Sequence, residues 1–192
     1  MKISIIYSSE TGHTQMMAEA VERGCHSVAG ASVHLFKIND DDFGGSRWIN
    51  NEVMSTLDNS DAIIMGSPTF MGTVSTKLKA FMEASVTRYM PETWSDKIAA
   101  GFTVSGAPSG DKFNTLSTMT TFAMQHGMIW VGLGCNPFNN DLGINATGHY
   151  YGATGRAELG EDPAVAPTQP DLLAGELLGA RVTKLTIRLG RE

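Results

Sequence analysis

Five short apolar runs punctuate the chain, and after each one the apolar residues change from continuous to a spacing of three or four. Ile3–Tyr7 is the first run. In Thr14–Val28, which follows it, Met16, Met17, Ala20, Val21, Gly24 and Cys25 share one helical face and Gly30 closes the element. Ser32–Lys37 reads as a second strand, Asn39–Ser46 as an acidic loop and Trp48–Leu57 as a short helix. Ala62–Gly66 is a third, fully apolar strand, followed by a loop over Ser67–Val74 and a helix over Ser75–Arg88 with Leu78, Phe81 and Met82 turned inward. Ile98–Val104, a Gly/Ser/Pro-rich loop over Ser105–Asp111, a helix over Phe113–Gln125 and a fifth strand over Met128–Leu133 continue the rhythm. A last helix spans Asp171–Leu189, with Leu172, Leu173, Leu177, Leu178, Val182, Leu185 and Ile187 on its apolar side.

Strict alternation of strand and helix predicts the doubly wound α/β class: a five-stranded parallel sheet, order 2-1-3-4-5, with helices on both faces. One stretch breaks the pattern. Residues 134–170 hold few periodic apolar positions and read as a long loop insertion in a single domain, with Tyr150 and Tyr151 marking it as ordered and functional and the Pro-rich 161–169 as its outer limb. A chain of 192 residues suits one such domain.

Charge narrows the partners. A net charge of −6, with Lys and Arg scattered, gives no basic patch for a nucleic acid or an anionic membrane. No apolar run nears the roughly 20 residues of a membrane span. The start lacks a signal-peptide pattern, and two distant cysteines, Cys25 and Cys135, read as reduced thiols in a cytoplasmic protein.

In such a sheet, ligands bind beyond the carboxyl ends of the strands near the switch in strand order. Three loops meet there, after strands one, three and four. The first, Ser8–Thr14, offers the hydroxyls of Ser8, Ser9, Thr11 and Thr14 and the free amides of the following helix; Gly12 lets backbone approach a ligand. A plain helix cap needs one hydroxyl, so four in seven residues point to a phosphate cradle. Neither the Gly-x-x-x-x-Gly-Lys frame nor Gly-x-Gly-x-x-Gly is present. The second loop, with Pro68, Thr69, Phe70, Met71 and Gly72, has apolar tips able to lie on a flat ring. The third, with Val104, Ser105, Gly106, Ala107, Pro108, Ser109 and Gly110, presents small residues and amides to the polar edge of a heterocycle.

Tyr7-Ser8-Ser9-Glu10-Thr11-Gly12-His13, Gly66-Ser67-Pro68-Thr69, Phe102–Gly106, Gln125-His126-Gly127-Met128 and Tyr150–Thr154 together resemble the flavodoxin-like proteins, and within them the tryptophan-repressor-binding-protein-A (WrbA) type of NAD(P)H:quinone oxidoreductase. The resemblance implies FMN, its phosphate on Ser9, Glu10, Thr11, Gly12, His13 and Thr14 and its ring against Pro68–Gly72 and Val104–Gly110. It implies a catalytic His126 beside ring or substrate, Tyr151 at the rim, and a homotetramer or dimer whose neighbours wall the site, with Trp94 or Tyr89 as such a wall. NADH or NADPH would reduce the flavin and leave before a quinone-like acceptor takes two electrons from the same face. Phe70-Met71 and Ser105–Ser109 depart from the family's usual residues.

Two other functions fit the same fold. A flavodoxin-type electron carrier generally sandwiches its ring between aromatics; here Ser105–Lys112 holds none, which favours an open site and an enzyme. A phospho-acceptor receiver needs an Asp at the end of a central strand, where this chain has Tyr7 and Gly66.

Overall fold

The computed structural model describes residues 1–190. Its strands are β1 (Lys2–Tyr7), β2 (Ser32–Lys37), β3 (Phe43–Gly44), β4 (Arg47–Trp48), β5 (Ala62–Phe70), β6 (Thr73–Val74), β7 (Ile98–Ser105), β8 (Ile129–Trp130) and β9 (Ala153–Arg156). Its helices are α1 (His13–His26), α2 (Asn51–Asp58), α3 (Thr76–Ala84), α4 (Val86–Tyr89), α5 (Lys112–Gln125) and α6 (Gln169–Leu189). The main sheet runs β2-β1-β5-β7-β8 with every pairing along that path parallel, the expected 2-1-3-4-5 order.

The fifth strand departs from expectation. It exists in two pieces on the same edge: β8 pairs with Ile98 and Ala99 at the start of β7, while β9 pairs with Phe102–Ser105 at its end. The insertion therefore lies inside the strand, between Trp130 and Ala153, and the stretch 134–170 read as one loop contains β9. The Ala-Thr-Gly-Arg sequence of β9 carries no apolar run because the space is already filled. A β-carbon at Gly155 would stand 2.9 Å from Met17 Cε, and one at Gly152 would stand 2.0 Å from the Gly101 carbonyl oxygen.

The second loop also has more structure than expected. β5 continues to Phe70 and turns back into β6 through Met71-Gly72, both with positive φ (46° and 83°). Two positive-φ residues between paired strands make the tight hairpin turn whose twist matches that of the strands, and it leaves Met71 fully exposed.

Alternation along the strands feeds two cores. Ile3, Ile5, Ile64, Ala100 and Phe102 pack under α1 and α6; Ile6, Ile63, Met65 and Ala99 pack under α2, α3 and α5. The buried face of α6 is Ala174, Gly175, Leu178, Gly179, Val182, Thr183 and Thr186, narrower and smaller than the leucine side read from the sequence; Leu177 is 42% exposed. Both cysteines are free, and burial pushes the Cys25 thiol up to about 11. No helix among the described residues is long and apolar enough to cross a membrane.

Candidate active site

Beyond Tyr7 the backbone turns through Ser8–Gly12 and enters α1 at His13. Six successive amides, those of Ser9, Glu10, Thr11, Gly12, His13 and Thr14, meet no acceptor among the described residues. Ser9, His13 and Thr14 are themselves buried, and buried donors normally find a partner. The first turn of α1 holds no acidic residue, and the Glu10 carboxylate is drawn aside to Lys77 at 3.3 Å, which also pairs with Asp40 at 2.8 Å. What remains is a nest of positive dipole ends at a helix N-terminus, matched to an anion.

The four hydroxyls divide their work. Ser8 Oγ lies 2.6 Å from Ser75 Oγ, which in turn accepts the Leu78 amide as cap of α3, so Ser8 braces the first loop against the second. Ser9 Oγ accepts the Gln15 amide at 3.2 Å and keeps its own proton to donate. Thr11 Oγ1 is 2.9 Å from His13 Nδ1. The Thr14 hydroxyl makes no hydrogen bond among the described residues. The cradle is therefore chiefly backbone, supplemented by Ser9 and Thr14.

His13 does more than lend an amide. Its Nε2 donates to the Glu161 carbonyl at 2.9 Å, and in that tautomer Nδ1 accepts from Thr11. Pro163 comes close enough to Gly12 that a β-carbon there would stand 2.8 Å from Pro163 Cγ, and Gly12 has φ +93°. The segment after β9 thus leans over the cradle.

Four chain segments line one cleft: Glu10, Thr11, His13 and Thr14; Pro68, Thr69 and Phe70; Val104, Ser105 and Gly106; and Ala157–Gly160. Its volume is ≈190 Å³, below the roughly 300 Å³ at which small-molecule pockets begin, and Ala157–Gly160 form one of its walls. Thr69 Oγ1 sits 2.8 Å from both Thr103 Oγ1 and Thr115 Oγ1, which fixes the second loop to β7 and α5. Sequence reasoning missed Ala157–Gly160. The signal was β7 itself: eight residues long, it needed an edge partner opposite Phe102–Ser105 that a fifth strand over 128–133 did not supply.

Several expected residues stand outside this cleft. Met71 and Gly72 form the hairpin tip, and Ala107, Pro108, Ser109 and Gly110 arch away from the lining. Tyr151 packs its ring edge-on against Phe113 at 5.1 Å on the sheet edge. His126 and Trp94 require correction. Helices in a parallel sheet run opposite to the strands, so the C-terminus of the 14-residue α5 lies about 20 Å from the end that faces the cleft. His126 sits there, 6% exposed, with Nε2 2.9 Å from Ser85 Oγ and its ring 4.7 Å from Trp94 and 4.8 Å from Phe122. Trp94 is fully buried and donates Nε1–H to Asp58 at 2.8 Å. Both are core residues of their own chain.

That placement makes a prediction. His126→Ala leaves FMN affinity unchanged and lowers unfolding free energy by about 1–2 kcal/mol, the cost of one buried hydrogen bond and lost ring packing. Burial holds the His126 imidazole below its usual range. The unfolded chain therefore takes up the proton first as pH falls, and this contribution, complete above about pH 6.5, is lost below it. Urea unfolding at pH 7.5 and 5.0 measures the difference, which His126→Gln shrinks; an unchanged pH slope in that variant would assign the loss elsewhere.

Residues 1–141 match the model of a family described as NADPH-dependent FMN reductase. The chain belongs to the NADPH-dependent FMN reductase family. A relative from Pseudomonas aeruginosa named flavodoxin FldP is 34% identical, the match covering 96% of each chain. One from Archaeoglobus fulgidus named NAD(P)H dehydrogenase (quinone) is 32% identical over 98% of each. Among solved structures, a WrbA-like flavodoxin from Agrobacterium tumefaciens superposes with a TM-score of 0.77 at 31% identity, covering 97% of this chain and 98% of that one. The chain is thus a flavodoxin-like FMN oxidoreductase of the WrbA type, and FMN is its cofactor. The donor set fits that group: orphaned amides without a competing carboxylate suit the phosphate, and Pro68, Phe70, Val104 and Leu159 give a flat ring apolar walls.

Proposed function

We propose that the protein is an FMN-dependent NAD(P)H:quinone oxidoreductase that works by ping-pong two-electron transfer, its donor and acceptor visiting one cleft in turn. The observation that carries this reading is the amide cradle joined to a slot with apolar walls from Pro68, Phe70, Val104 and Leu159. Phe70 lines one wall, and the opposite loop, Ser105–Lys112, contributes no aromatic to close the other. FMN held by Ser9–Thr14 would supply the redox chemistry that links a nicotinamide donor to a quinone acceptor.

The chain's own residues bind and orient. Ser9–Thr14 hold the phosphate. Pro68, Thr69 and Phe70, locked to Thr103 and Thr115, set one wall of the ring site. The unpaired amide of Gly106 is available to a polar ring edge, and Leu159 stands at the rim. We place the working form in the cytoplasm as a homo-oligomer, tetramer or dimer. Exposed Val86, Tyr89 and Met90 after α3 offer a second copy an apolar face. Any part for Tyr89 in the reaction belongs to a neighbour's cleft reached across such an interface.

The FMN-loaded protein should oxidise NADH or NADPH with a benzoquinone under steady state, giving parallel double-reciprocal lines as acceptor concentration varies. A second reading, a flavodoxin-type carrier without pyridine-nucleotide activity, is favoured by the resemblance to flavodoxin FldP. Absence of turnover with either donor, in protein that holds FMN, would select the carrier.

A further inference from the structure

Lys112 breaks three local rules at once. It is a cation in the first turn of α5, where the helix dipole is repulsive. It is 1% exposed, among the largest fully buried side chains of the protein. The charges around it are mixed: Asp171 on α6 attracts, while Arg156 on β9 repels and His149 in the insertion is itself held below its usual range by burial and by Lys112. Burial raises the Asp171 carboxyl too, so its compensation is incomplete. Burial brings the Lys112 ammonium down to about 8. A fold seldom keeps so poorly matched a charge without a use for it.

The ammonium donates to the Ala107 and Pro108 carbonyls, each at 2.8 Å. Ala107 O also accepts from Ser105 Oγ at 3.0 Å, which ties the arch to a residue that lines the cleft. With these carbonyls turned inward to Lys112, the amides of Gly106, Ala107, Ser109 and Gly110 meet no acceptor among the described residues.

Building on the flavin reading above, we propose that Lys112 is a positioning residue of the FMN site. Its ammonium pins the arch after β7 and sets a buried positive charge behind it, so that the site favours reduced FMN, with its added negative charge, over oxidised FMN. A charge near the ring's polar edge is one of the levers by which a protein tunes a flavin.

The test compares wild type, Lys112→Met and Lys112→Arg. Titration with oxidised FMN, followed by quenching of flavin fluorescence, gives one dissociation constant. The midpoint potential of bound against free FMN then gives the ratio of affinities for reduced and oxidised forms. Lys112→Met should lower that ratio about tenfold, near 30 mV for a two-electron couple, and Lys112→Arg should restore most of it. A Lys112→Met ratio equal to wild type overturns the proposal. Wild type supplies a second arm that needs no variant: the ratio should fall as pH rises from 7 to 9.5 and Lys112 loses its proton, and a flat profile overturns the proposal as well. Wild-type protein with no affinity for FMN would overturn the flavin reading, and this proposal with it, a result distinct from normal binding with an unchanged ratio.

Discussion

Riboflavin binds at least about a thousand-fold more weakly than FMN. The two ligands differ only in the phosphate, and the cradle is built for little else. Six successive amides from Ser9 to Thr14 lack protein acceptors, and the hydroxyl of Thr14 and the proton of Ser9 Oγ remain free. A hydrogen bond to a charged group contributes about 1.5–3 kcal/mol net. Three such bonds exceed the ~4 kcal/mol that a factor of a thousand requires, and the helix dipole adds to them. Fluorescence quenching with each ligand measures the ratio. Similar affinities would remove the phosphate from the first loop. Gly12→Ala supplies an internal check. Its β-carbon meets Pro163 and its φ of +93° is strained for any other residue, so it should lose FMN affinity far more than riboflavin affinity.

The parts of this site that could be read from the sequence are those where local chemistry suffices. Hydroxyls and a glycine between an apolar run and a helical period mark the first loop, and the order of strands then brings Pro68–Phe70 and Val104–Gly106 to it. What escaped depends on tertiary contact. Ala153–Arg156 forms a strand without a run of large apolar residues, because Met17 crowds Gly155 and the Gly101 carbonyl crowds Gly152 just before it. The role of the His13 ring does not show locally, because its pin to Glu161 spans 148 positions. His126 and Trp94 were placed by resemblance, and the antiparallel course of α5 and β7 carries them to the opposite end of the sheet. Lys112 is one position past the end of the loop as read. Nothing in the sequence marks its side chain as folding back under Ala107 and Pro108.

The face of α6 is the other misreading, and it has the largest consequence for stability. Counting leucines selects Leu177, which is 42% exposed, and passes over Gly175 and Gly179, which are buried. Those glycines let α6 lie directly on α1. A β-carbon at Gly179 would stand 2.0 Å from the Val21 carbonyl oxygen, and one at Gly24 would stand 2.0 Å from that of Glu176. The obstacle in each case is backbone, which a rotamer change cannot relieve. Gly179→Val therefore forces the helices apart. Overpacking that side chains can absorb costs about 1–3 kcal/mol, so a backbone clash with a β-branched residue should cost at least ~3 kcal/mol, a fall in Tm of roughly 6–12 °C for a domain of this size. Gly175→Ala is the graded control, because its nearest neighbour is the flexible Met17 thioether at 2.8 Å, and it should lose well under half as much. The effect reaches the site, since α1 carries the cradle at its N-terminus and α6 is its main support. FMN affinity should fall along with Tm in Gly179→Val, whereas a core lesion remote from α1 would lower Tm alone. A Tm within 2 °C of wild type would mean that α1 and α6 can separate freely, and that the amides of Ser9–Thr14 owe their placement to β1 instead.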